Sequence, residues 1–166
     1  MPERETLERA RRDEREGMAP STQAGEFVRE EIEHIREGKH GARSTKQAIA
    51  IGLSKARRAG VKLKPPKKGA VSKRTRAQAA RDSTRGRSGA AKKTSRARSR
   101  AATDALKREG RQAASPAALA KQGRTGARRR TATERSAAAK KGARTKGPAK
   151  RSAAAKKAAR TRTTRA

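Results

Sequence analysis

The sequence predicts a mainly α-helical protein: a small N-terminal helical unit followed by a long, largely disordered basic tail with transient helices. Three observations carry this expectation. Large apolar residues crowd the first 63 positions, where Met1, Leu7, Met18, Phe27, Val28, Ile32, Ile35, Ile49, Ile51, Leu53, Val61 and Leu63 fall; the 103 residues from Lys64 onward add only Val71, Leu106 and Leu119. A segment with so little to bury does not offset the entropy lost on ordering it. The apolar residues of the head recur at helical spacing. Charge divides the chain along nearly the same line, with 7 basic and 11 acidic residues over 1–37 but 41 basic and 4 acidic over 38–166. The implied organisation is an acidic charged helix within 1–20, a helix-loop-helix unit over 21–64, and a tail over 65–166.

The elements follow in order. Residues 3–16 are almost all Glu, Arg and Asp, with Glu5–Arg9 and Glu8–Arg12 at the favourable i,i+4 spacing. With Leu7 as its one large apolar residue, this helix is expected to be solvated and marginal. The stretch Gly17-Met18-Ala19-Pro20-Ser21 breaks it. A second helix, over about 22–37, carries Val28, Ile32 and Ile35 on one face with Phe27 at its edge, and Gly38 stops it. The third, 45–59, has the strongest local markers. Ser44 and Gln47 form an S-x-x-Q capping box, and Lys55, Arg57 and Arg58 sit in the last turn, where the helix dipole favours cations. Gly60 and Val61 have the order of a left-handed terminator and its apolar contact. Ile49, Leu53 and Ala56, with Ala48 and Ile51 beside them, are expected to form its buried face. The short loop between the second and third helices makes them an antiparallel pair. That pair is too small to stand alone, so a second copy meeting it through 26–59, the first helix, or DNA has to complete it.

Val61-Lys62-Leu63-Lys64-Pro65-Pro66 reads as a short extended linker. Beyond it, SKRTRAQAARD, TDALKREG and SPAALAKQG are helix-competent islands, the last with Ser115 as N-cap and Pro116 in the first turn. The chain then writes one sixteen-residue phrase twice, RSAAAKKGARTKGPAK over 135–150 and RSAAAKKAARTRTTRA over 151–166. Apart from Pro148 the phrase has no apolar residue larger than alanine, and its cations scatter around any helix it forms. A membrane-surface helix needs an apolar stripe, and a groove-binding helix needs apolar anchors. Neither is present.

The formal net charge of +33 calls for a polyanionic partner. Phe27 is the one aromatic residue, so base stacking of the kind used on single strands is not on offer. Arginine outnumbers lysine 30 to 18, which suits bidentate phosphate contacts. The reading is a non-enzymatic, largely sequence-independent binder of duplex DNA, acting by phosphate neutralisation in a cytoplasmic, nucleoid-type setting, with RNA as a possible target. The expected contacts are Lys46, Lys55, Arg57, Arg58, Lys62, Lys64, Lys67 and Lys68 around the third helix and linker. In the tail they are Arg128, Arg129, Arg130, Arg135, Lys140, Lys141, Arg144, Arg151, Lys156, Lys157, Arg160, Arg162 and Arg165.

Two alternatives stand beside it. One is a helix-turn-helix-like, sequence-specific reader in which 44–47 lead into a recognition helix. The other is a polycation directed at RNA or protein. No phosphate-binding glycine loop or nucleophile–base pair occurs, the chain has no cysteine, and no cofactor or metal is expected. Glu30, His34 and Glu37 share a helical face but read as a solvated one. No apolar run approaches a membrane span, and no secretion signal is apparent.

Two resemblances add to this. GKHGARSTKQAIAIGLSKARRAGVKL, over about 38–64, is similar to a KQAIAIALSxAR-type segment of an uncharacterised family of small basic bacterial proteins, which implies a bacterial, nucleoid-type setting and no catalytic residue. The tail over 67–166 resembles the Ala/Lys-rich tails of histone H1 and bacterial histone H1-like proteins, although it is arginine-rich and lacks SPKK-type repeats.

Overall fold

The computed structural model describes residues 2–89 and 95–163. Among these it contains seven α-helices and one 3-10 turn: α1 Arg4–Arg15, α2 Pro20–Glu37, α3 Thr45–Arg58, α4 Lys73–Ser88, α5 Arg96–Lys107, the turn Gln112–Ala114, α6 Pro116–Arg128 and α7 Ala132–Thr163. The chain forms two compact units, Met1–Gln122 and Gly123–Ala166, the division falling inside α6.

Local sequence explains the helix boundaries. Gly17 has φ 68°, and the chain re-enters helix with Pro20 in the first turn of α2. Gly38, at φ 80°, terminates α2 while Lys39 N donates to His34 O. Ser44 accepts from Gln47 N at 3.3 Å, and the Gln47 side chain reaches back to Arg43 N at 2.9 Å, one residue before the cap. At the other end of α3, Val61 N donates to Ala56 O and the Val61 side chain packs against the cluster that contains Ala56, in keeping with its position after Gly60.

α2 and α3 pack together at the centre of the first unit, with α1 against α2, α4 against α3, and the 3-10 turn against both central helices. α1 is not a solvated helix. Its Ala10 is buried with Ala24, Phe27 and Ala56, Leu7 joins them, and Arg9 reaches Glu26 at 2.8 Å. A second cluster holds Ile32, Ile35, Ala42, Ala48, Ala113 and Ala114, with Val28 and Leu119 against it. Phe27, Ile32 and Ile35, for which the sequence required cover from a second copy, the first helix or DNA, are covered by α1, one of those three, and by the 3-10 turn of the same chain.

The buried face of α3 keeps Ala48 and Ala56 of the expected one but is turned away from its large residues. Ala48, Gly52 and Ala56 are buried, whereas Ile49, Ile51 and Leu53 are half-buried. The reason is steric. A Cβ on Gly52 would stand 2.7 Å from Val28 Cα and 2.9 Å from Phe27 O, so the α2 backbone lies directly against the small residues of α3.

The expected architecture of a short helical unit and a long disordered tail is overturned: the described residues beyond 65 are mostly helical, and those up to Gln122 belong to the first compact unit. Counting large apolar residues missed how this segment packs. Alanine does the burying, at Ala79, Ala113 and Ala114. Hydrogen bonds to backbone carbonyls do the joining. Gly41 N donates to Leu106 O at 2.9 Å, Ala42 N to Gly110 O at 3.1 Å, and Thr45 Oγ1 to Ala113 O at 2.7 Å. α4 is held by the buried Asp82, which accepts from Ser54 Oγ at 2.7 Å and from Gln78 at 3.1 Å. It approaches so closely that a Cβ on Gly86 would meet Arg57 O.

In the second unit, Thr131 and Glu134 form a reciprocal capping box for α7: Glu134 N donates to Thr131 Oγ1 at 3.1 Å and Thr131 N to Glu134 Oε2 at 2.9 Å. α7 breaks at Gly147 (φ 68°, ψ 168°), before Pro148, which has no N–H to give the helix ladder. Among the described residues no helix is long and apolar enough to cross a membrane.

Candidate nucleic-acid interface

Most of the expected phosphate contacts lie on open surface. Lys46 and Arg58 on α3 are exposed, as are Lys62, Lys64, Lys67 and Lys68 on the segment that follows. So are Arg128, Arg129 and Arg130 at the end of α6, and Arg135, Lys140, Lys141, Arg144, Arg151, Lys156, Lys157 and Arg160 on α7. Arg162 belongs to the last turn of α7, and Arg165 lies outside the described residues. Pro148–Thr163, the segment of α7 beyond the break, spans about 24 Å at about 1.5 Å per residue. Its cations occupy several sides of the helix and no apolar stripe runs along it.

Two expected contacts are placed differently. Lys55 sits between two carboxylates of α2, 3.0 Å from Glu30 Oε1 and 2.7 Å from Glu31 Oε2. Both carboxylate side chains are 1 % exposed. Burial pushes the Lys55 ammonium down, but the bonds to Glu31 and Glu30 outweigh it and hold the group above its ordinary value. Burial likewise pushes Glu30 up, and the bonds from Lys55, the Glu3 backbone and Thr6 reverse the direction. The same network reaches the surface through Glu3, whose carboxylate is held down to about 2 by His34 and then by Lys39. Lys55 is therefore a structural cation of the α2–α3 contact.

Arg57 is the other. It is buried, and its Nε has no hydrogen-bond partner among the described residues. Burial lowers its pKa, an effect that nearby Asp82 opposes. Arg57 lies in an open groove of about 600 Å³ between α3 and α4. Ile49, Leu53 and Val71 give the groove apolar walls, and Lys46, Arg74 and Arg81 add cations to it. Arg74 and Arg81 were not among the expected contacts. Their seven-residue spacing in SKRTRAQAARD puts them on one helical face, but nothing local to that segment says that α3 lies beside it.

The sequence also grouped Glu30, His34 and Glu37. The structure separates them: Glu30 turns to Lys55, and Glu37 pairs with Lys39 at 3.0 Å. His34 instead comes together with Glu31 and His40.

Residues 5–68 match DUF6496, a family of unknown function. The matched stretch runs from α1 through α3 to the linker and contains the 38–64 segment. No curated protein and no solved structure matches the chain.

Proposed function

We propose that this protein binds duplex nucleic acid, DNA foremost, largely without regard to sequence and without catalysing a reaction. The observation that carries the reading is stoichiometric. With 48 Lys+Arg against 15 Asp+Glu, internal ion pairing cannot consume the cations. The ion pairs of the first unit draw mainly on the acidic head, so the basic surplus of α4–α7 faces solvent, where a phosphate backbone gains most by displacing counterions. Phe27, the one aromatic residue, is 1 % exposed, which removes the stacking platform a single-strand binder uses. A helix-turn-helix reading through α3 is less favoured, because Thr45 in the first turn of that helix is buried and bonded to Ala113 O.

The test is a salt titration of duplex binding for the full chain and for a chain lacking 151–166. That deletion removes Arg151, Lys156, Lys157, Arg160, Arg162 and Arg165. Each lost phosphate contact flattens the slope of log affinity against log salt by about 0.9, so a fall of about 3 to 5 units is expected. Affinity drops equally on unrelated duplexes, and a shuffled 151–166 restores it. An unchanged slope, or a shuffle as damaging as the deletion, overturns the reading. Tighter binding to structured RNA in competition would redirect it to RNA.

A further inference from the structure

We propose that Glu31, His34 and His40 form a binding site for a divalent transition metal of the zinc type, with Glu3 as the ligand that closes it on the solvent side. The three side chains come from α2 and from the loop after it, and each offers a ligand atom within 4.8 Å of the others. Two of these atoms already have nearly the right separation. His40 Nε2 stands 3.2 Å from Glu31 Oε1, and ligands bound at about 2.0–2.1 Å around a tetrahedral zinc ion lie about 3.3 Å apart.

The orientation of His40 supports the site independently. Its Nδ1 lies 3.1 Å from the Gly41 carbonyl oxygen. A carbonyl can only accept, so Nδ1 carries the proton and donates it. In the neutral ring this leaves the Nε2 lone pair facing Glu31 Oε1, two acceptors 3.2 Å apart with nothing to bind them. A cation between them resolves the repulsion. An imidazole that donates one N–H to a backbone carbonyl and turns the other nitrogen to a carboxylate is the arrangement that orients metal-binding histidines.

The local charge fits as well. Among the described residues, the carboxylates of Glu3, Glu30, Glu31 and Glu37 pair with the ammonium groups of Lys39 and Lys55 and with the two imidazoles, while Lys107 and Arg111 line a pocket beside Glu37 and His40 without an ion pair to these four acids. In a chain of +33 this is an acidic locus, and a divalent cation balances it. Glu31 is fully buried and the two imidazoles are 13 % and 15 % exposed, while Glu3 is about half exposed and 2.7 Å from His34 Nε2. Glu3 thus lies on the path from solvent to the imidazoles, able to follow the ion in and complete four-coordination.

The experiment is calorimetric titration of the full chain with zinc chloride in phosphate-free buffer, followed in parallel by the imidazole C–H resonances. The chain has two histidines, so both signals are assignable. Equimolar uptake that moves both signals is expected. His40→Gln, a loop substitution, should weaken binding at least about 10-fold, and Glu33→Gln, an exposed acid on the same helix, should leave it unchanged. The proposal is overturned by uptake that leaves either imidazole signal in place, by binding that His40→Gln does not weaken, or by loss on Glu33→Gln equal to that of His40→Gln. Histidines that titrate with pH but take up no zinc would also overturn it, placing a proton in the position proposed for the metal.

Discussion

Lys55 shows how one side chain's role depends on a partner that the sequence does not announce. In a last helical turn with Arg57 and Arg58, it looks like one cation among several. In the fold it neutralises two carboxylates that are almost fully buried. Removing one partner of a buried ion pair costs about 3–5 kcal/mol, since it strands the other charge. Lys55→Ala should therefore lower the unfolding free energy by about that amount in urea titration. Arg58→Ala, at an exposed position three residues on, should change it by less than about 1 kcal/mol. Equal effects would show that Glu30 and Glu31 find water or each other without help. Arg74 and Arg81 invert the comparison. Replacing both with Gln should leave stability nearly unchanged, flatten the salt slope of duplex binding by about 2 units, and alter no preference between sequences. A slope that stays put removes the α3–α4 groove from the interface.

At the scale of the element, α3 packs by its smallest residues. Gly52→Ala improves intrinsic helix propensity by about 1 kcal/mol, yet the added Cβ would stand 2.7 Å from Val28 Cα. The helices must part to admit it, and overpacking of this kind costs about 1–3 kcal/mol. Destabilisation in denaturant is the expected result; a stabilised variant would mean that the α2–α3 contact is looser than described. The caps of α3 were legible beforehand because capping is local: Ser44, Gln47, Gly60 and Val61 act within a few residues of one another. The buried face was not. Periodicity marked Ile49 and Leu53 as the core side, but which stripe turns inward was settled by the approach of another helix, and glycine and alanine carry no hydropathic mark of that. The same limit explains the groove and the His34 cluster. Glu31 and His34 share a helix, yet His40 joins them only through the turn that Gly38 makes.

For the molecule as a whole, the residues beyond the linker are part of what holds the head together. Ala113 and Ala114 cover Ile35 and Ala48, and α4 covers α3. A fragment ending at residue 64 should then unfold at a lower temperature than one ending at Gln122, and less cooperatively. Equal midpoints in thermal unfolding followed by circular dichroism would show that the later segments add nothing. The division between an acidic head and a basic body was plain from charge alone. The place where folding stops was not, because hydrogen bonds such as Gly41 N to Leu106 O and Ala42 N to Gly110 O join positions far apart in sequence through backbone groups that carry no side-chain signature.

Eight of the eleven buried hydrophobic residues described are alanines. Such an interior removes little hydrocarbon from water for each residue it orders, and the heat capacity of unfolding is set chiefly by that hydrocarbon. The increment should fall below the usual value of about 12 cal/mol/K per residue. A small increment flattens the dependence of stability on temperature. This protein should consequently gain little on moderate cooling, lose little on moderate warming, and resist cold denaturation better than a leucine-cored domain of equal stability.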